Sequence, residues 1–358
     1  MERVREIAFF TATPQLLAIA SDEYKRRRCS FRGNLCNLWT SMKEPAVQQS
    51  TNAVLMIRPH RFYPNPETAA DNAFQRASAA ETPGELSAVA RAEFDRAVAT
   101  LRDAGVTVHV VEDTPEPDKP DAVFPNNWLS THHDGRVVLY PMFSALRRRE
   151  RRRDIIEELR RSYRVTDVID YSAYETKDQC LEGTGSLVLD HVHKIAYVSL
   201  SQRSHSELLK RFCTDFGYEP VTFTATDESG RPIYHTNVVM CVGTEFALVA
   251  LEMIAEARER EAVRARLTET GKEIVDLTRG QIANFAGNAI ELHNATGEKL
   301  LVISSRALPT FTSEQRQTIE RHARFVPLEL PTIELAGGSA RCMLATIHLP
   351  QLRSDGDG

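Results

Sequence analysis

The chain has 358 residues, 42% hydrophobic and 26% charged, the proportions of a globular protein with room for one large domain or two ordinary ones. A formal charge of −5 argues against a nucleic-acid-binding surface, and no apolar run approaches the ~18 residues of a membrane span. The six cysteines, at 29, 36, 180, 213, 241 and 342, form no CxxC pair, which fits a reducing, cytoplasmic setting better than a disulfide scaffold.

Residues 1–49 differ in character from the rest, with Lys25-Arg26-Arg27-Arg28 and weak periodicity. Ile7 to Ala20 faintly resembles a signal peptide, but Glu2, Glu6 and Pro14 spoil it. We expect a poorly ordered extension, or a start codon placed upstream of a true start at Met42. From Thr51 the pattern becomes regular, and 50–352 is expected to be one catalytic domain with a tail at 353–358.

The apolar run Asn52–Ile57 predicts a strand. Pro83 to Ala104 has helical spacing through Leu86, Val89, Phe94, Val98 and Leu101, and stops at Gly105. Strands follow at Val106–Val111, Val137–Tyr140, Leu187–Leu189, Ile195–Leu200, Val221–Thr224, Val238–Val242, Phe246–Leu251, Ala289–Leu292, Leu300–Ile303 and Leu344–Leu349. Helices are expected at about 145–163, 205–216, 255–270, 279–285 and 313–323. Strand pairs alternating with helices make the class α/β. His132-His133 and His191-Val192-His193 sit beside turn residues and read as exposed hairpin turns, so no metal site is expected. The run Arg147–Arg153 reads as a solvated helix face, although one arginine at its head is placed to bind a carboxylate.

Four segments carry chemistry. Gly337-Gly338-Ser339-Ala340-Arg341-Cys342 bends sharply to deliver a thiol, which is a nucleophile only with a base and a suitable charge environment. Leu181-Glu182-Gly183-Thr184-Gly185 sets a carboxylate at a glycine-rich turn. Tyr234-His235-Thr236-Asn237 opens a strand with an imidazole and an amide on one face. Asp121-Ala122-Val123-Phe124-Pro125-Asn126-Asn127-Trp128 is a polar loop between aromatic walls.

In this order, over about residues 52–350, the four segments resemble the guanidino-group-modifying enzymes: arginine deiminase, dimethylarginine hydrolase, the amidinotransferases and succinylarginine dihydrolase. The resemblance implies a pentein fold, an α/β-propeller of five ββαβ units around a pseudo-five-fold axis. It also implies Cys342 as nucleophile, His235 as general acid/base, Glu182 as its orienting carboxylate and Asp121 as a substrate contact. Ser201-Gln202-Arg203-Ser204 looks like the segment whose arginine holds the substrate carboxylate, and Arg147 looks like a second such arginine, with 148 and 149 as rival registers.

Where guanidinium-binding relatives carry carboxylates, this chain has Asn126, Asn127 and Asn237. A guanidinium has only donors and needs acidic acceptors, whereas amides suit a neutral ureido group. The sequence is similar to the citrulline-utilisation hydrolases, including Arg58-Pro59-His60-x-Phe62 and Glu67-Thr68-Ala69-x-x-Asn72-x-Phe74-Gln75. That similarity implies hydrolysis of citrulline to ornithine, ammonia and carbon dioxide, with a small amino acid as partner, no metal or organic cofactor, no membrane or nucleic acid, and a possible homo-oligomer. Because neutral citrulline brings no charge to steady a thiolate, Cys342 is expected to depend on a protonated His235 at rest. Arginine deiminase and dimethylarginine hydrolase are the alternatives, and a non-catalytic pentein binding protein is the remote one.

Overall fold

In the computed structural model, residues 47–76 and 82–352 are described, so residues 1–46 of the expected extension and the tail at 353–358 lie outside them, whereas Gln49, at the end of that extension, is buried and donates to the Leu189 and Val242 carbonyls. Fifteen strands form five sheets of three, each built alike. The first blade pairs β1 (Ala53–Arg58) antiparallel with the last strand, β15 (Ala345–Thr346), and parallel with β2 (Thr107–Glu112). The others are β3 (Leu129–Thr131), β4 (Arg136–Leu139), β5 (Asp167–Asp170); β6 (Val188–Asp190), β7 (Ile195–Ser199), β8 (Glu219–Phe223); β9 (Met240–Val242), β10 (Phe246–Val249), β11 (Glu273–Asp276); and β12 (Ile290–His293), β13 (Lys299–Ser304), β14 (Arg324–Leu328). In each the first pair is antiparallel and the second parallel.

A parallel pair needs a crossover, and a helix supplies it every time. The crossovers are α1 (Pro83–Asp103); α2 (Ala145–Arg148) with α3 (Arg153–Arg160); then, after the one-turn α4 (Gly183–Ser186), α5 (Ser206–Phe216) and α6 (Ala257–Glu269); and, after the short α7 (Arg279–Ile282), α8 (Ser313–Glu320). This is the five-unit α/β-propeller that the sequence predicts. α1 begins in a Thr82–Glu85 capping box with Pro83 at its first position. It buries Leu86, Ala90, Phe94, Ala97 and Leu101, one stripe at helical spacing, in a core shared with β1, β13 and β14.

Burial divides each blade by position. The middle strands are almost wholly buried, whereas the outer parallel strands β5, β11 and β14 mix exposed and partly buried positions with at most two buried ones each. The expected single helix over 145–163 is two, broken across 149–152. His235 does not open a strand: it precedes a 3-10 turn, Thr236–Val238, and β9 starts only at Met240. Among the described residues no helix is long and apolar enough to cross a membrane.

Candidate active site

Cys342 sits just before β15, at the end of a turn that starts with Gly337 in the left-handed region (φ 82°). A Cβ on Gly337 would run into the Asn72 side chain, so glycine is required there by both φ and space. The thiol is 2% exposed and receives two amide hydrogen bonds: Asn288 Nδ2 donates to Sγ at 3.2 Å and Asn237 Nδ2 at 3.4 Å. Asn288 is locked in that orientation, because its Oδ1 accepts from the Arg341 backbone N–H (3.1 Å) and its Nδ2 also donates to the Asn237 carbonyl (3.2 Å). Sequence reading missed Asn288, which stands alone before β12 in Gly287-Asn288-Ala289 with no motif around it.

His235 lines the same cavity as Cys342, without a direct hydrogen bond to it. Its Nε2 pairs with Glu182 Oε2 at 2.7 Å, as the resemblance implied. Glu182 is fully buried; its other oxygen accepts from the Phe143 N–H (2.8 Å), and Arg203 Nη1 lies 3.5 Å away. Burial alone would raise the Glu182 pKa, but Arg203, the His235 hydrogen bond and Arg147 outweigh it and hold the group ionised well below the usual carboxylate range. For His235 the balance runs the other way. Burial lowers its pKa more than Glu182 raises it, so the resting imidazole leans to the neutral form, contrary to the expected resting imidazolium.

Arg147 settles the register within the arginine run: it is 3% exposed and faces inward, whereas Arg149 is exposed. The solvated-face reading therefore fails at its first residue. Its fork is not free for a substrate carboxylate. Nε and Nη2 donate to Glu150 (2.8 and 2.9 Å), Nη2 also to the Phe124 carbonyl, and Nη1 donates to Asn127 Oδ1 at 2.8 Å. Since Asn127 Oδ1 is taken by a cation, its Nδ2 is the atom left without a protein partner, and Asn127 lines the cavity. Gly185 abuts this amide; a Cβ there would clash with Asn127 Nδ2 and come within 2.8 Å of His235 Nδ1.

Arg203, 2% exposed, is bidentate with Asp71 (Nε and Nη2 both at 2.7 Å) and lies over the Tyr234 ring at 4.7 Å. Asp121 accepts from Asn65 Nδ2 (2.9 Å) and stands 3.6 Å from Arg147 Nε; burial raises its pKa against the pull of Arg147. Thr68 and Asn72 line the cavity as well. The motif Glu67–Gln75, which carried only resemblance in the sequence, is thus a wall of the site. Asn237 and Asn126 are placed differently from the expectation. Asn237 contacts the thiol from behind, and Asn126 is buried outside the cavity lining, its amide without a protein partner.

The arrangement combines a buried thiol with an imidazole–carboxylate pair and an amide donor around one small cavity, the equipment for attack on a trigonal carbon bearing nitrogen. The fold is shared with the N-terminal domain of ArgZ, an arginine dihydrolase of the ornithine–ammonia cycle in cyanobacteria. The two are 18% identical with a TM-score of 0.65, over 83% of this chain and 98% of that one. AgrE, solved with L-arginine as a cysteine-to-alanine mutant, is 17% identical (TM-score 0.65) over 85% of this chain and 41% of its own. A dimethylarginine dimethylaminohydrolase mutant, held as its adduct with S-methyl-L-thiocitrulline, is 14% identical (TM-score 0.55) over 82% of this chain and 99% of that one. No curated protein sequence matches the chain. The family profile described as N,N dimethylarginine dimethylhydrolase, eukaryotic, matches residues 58–349, and by that match the chain belongs to this family of hydrolases within the guanidino-group-modifying enzymes.

Proposed function

We propose that the protein hydrolyses the ureido C–N bond of citrulline, giving ornithine, ammonia and carbon dioxide. The observation that carries this reading is Asn127 in the cavity wall: Arg147 holds its oxygen, so the group this amide has left to offer is an N–H donor. A ureido oxygen accepts such a bond, and a guanidinium, with donors only, does not. Arg203, which lines the cavity, is in this reading the cation that attracts the substrate α-carboxylate.

In this reading Cys342 passes its proton to neutral His235 as sulfur bonds to the ureido carbon. The Asn127 amide donates to the oxygen, where negative charge develops. His235, positioned by Glu182, gives the proton to the departing δ-nitrogen, and ornithine leaves. Water, deprotonated by His235, then attacks the S-carbamoyl carbon; the C–S bond breaks, the thiol recovers a proton, and the released carbamate decomposes to ammonia and carbon dioxide.

A guanidino substrate is the second reading, favoured by Asp121, a carboxylate in the cavity wall, and by the family to which the chain belongs. Product release from citrulline, arginine and dimethylarginine under one set of conditions separates the two. We expect the highest kcat/KM with citrulline and no turnover by Cys342→Ala. Preference for arginine or dimethylarginine in the wild-type chain overturns the proposal.

A further inference from the structure

A second chamber lies behind the catalytic one. It is lined by Ser130, Thr131, His132, His191, Arg341 and His348 among others, none of which lines the catalytic cavity. The two meet back to back, because Asn237, which donates to Cys342, lines the rear chamber, as does Arg341, the residue before the nucleophile.

Charge in the rear chamber is one-sided. Arg341 is 9% exposed and has no carboxylate within ion-pair distance among the described residues; its side chain makes one hydrogen bond, from Nη1 to the Leu344 carbonyl at 2.8 Å. A buried guanidinium with one of its five donors engaged is costly unless an anion faces it. His348 is 7% exposed, and its buried Nδ1 has no protein partner. Its ring lies 4.3 Å from His191 and 4.7 Å from His133, centroid to centroid. Lys299, outside the lining, donates to Ser50 at 2.8 Å and lies 3.8 Å from Glu291. The one lining carboxylate, Glu291, has both oxygens committed, to the Thr244 N–H and hydroxyl. Burial keeps His191 and His348 neutral, so each supplies a hydrogen-bond donor without a second buried charge.

We infer that the rear chamber is a binding site for a small oxyanion, phosphate or bicarbonate in size and charge, held by Arg341 with a donor from His348. A cation does not fit: Arg341 repels it, and among the described residues no group of three or more His, Cys, Asp and Glu side chains is arranged to hold a metal ion. An apolar ligand would strand these donors.

The site is separable from turnover, so binding tests it directly. Inorganic phosphate and bicarbonate are titrated separately into the full chain by calorimetry at neutral pH and constant ionic strength, with chloride as the balancing salt. We expect one-to-one saturable binding of at least one, and the tighter of the two identifies the form preferred. His348→Phe, which keeps an aromatic ring in the cluster, and Arg341→Met are each expected to weaken it by roughly tenfold or more. Arg203→Lys, which alters the catalytic chamber's own cation, is expected to leave it unchanged. Absence of saturable binding by either oxyanion overturns the inference, as does binding that survives His348→Phe or falls with Arg203→Lys.

Discussion

Asn127 and Arg147 divide the substrate question between them. Changing Asn127 to Asp keeps an oxygen on Arg147 and turns a second, anionic oxygen toward the cavity, where the wild-type chain offers an N–H. If that donor selects a ureido group, Asn127→Asp should raise the ratio of arginine to citrulline turnover by about tenfold or more, as expected when a buried donor is exchanged for a charge that matches a cation. An unchanged ratio would remove Asn127 from the specificity argument. Asn288 offers a test that needs no substrate. Its amide and that of Asn237 are the two donors to the Cys342 sulfur, so Asn288→Ala should slow alkylation of Cys342 by iodoacetamide severalfold at neutral pH. Equal rates in variant and wild type would show that these contacts do not activate the sulfur.

Elements differ in how plainly the sequence announces them. The middle strands were legible, since burial on both faces writes a continuous apolar run, as in Ile195–Ser199. Strands β5, β11 and β14 were not, because Asp167–Asp170 and Glu273–Asp276 carry polar residues outward and leave too few buried positions to show a period. Cys342, His235 and Glu182 were legible through short local motifs, whereas Asn288 and Asp71 reach their partners there by tertiary packing alone. His132 and His191 were misread for a related reason: both flank turns, yet His132 packs at 4.2 Å against Phe216 and His191 bonds to Tyr218, so neither is an exposed turn residue. Two substitutions separate stability from catalysis at this scale. Thr82→Ala removes the α1 capping box and should cost about 1 kcal/mol, read as a lower Tm with kcat unchanged. Gly185→Ala forces a methyl against Asn127 and His235 and should cost about 1–3 kcal/mol, with most of the activity lost. Full activity in that variant would mean the two side chains have freedom their packing denies.

At the scale of the whole molecule, buried histidines set the acid limit. His132, His191 and His348 are all held by burial well below their ordinary value of 6.5. Below that value the unfolded chain takes up protons that the folded chain refuses, so stability present at neutral pH is lost as pH falls through about 6.5 and under. Urea midpoints measured from pH 8 down to pH 5 should decline, and His348→Phe should flatten the decline. A midpoint independent of pH across that window would mean that these rings take up protons equally in the folded and unfolded states.

The pairing of β15 with β1 also sets the order of events during synthesis. Val54 and Leu55 lie opposite Thr346 and Ala345, partners separated by most of the chain, and Cys342 is only three residues from that join. On the proposed mechanism, a ribosome-bound chain can build four blades and still lack its nucleophile, because Cys342 belongs to the clasp that shuts the ring. Reactivity would then arrive with completion: a chain truncated before Cys342 is expected to be inert as well as incomplete.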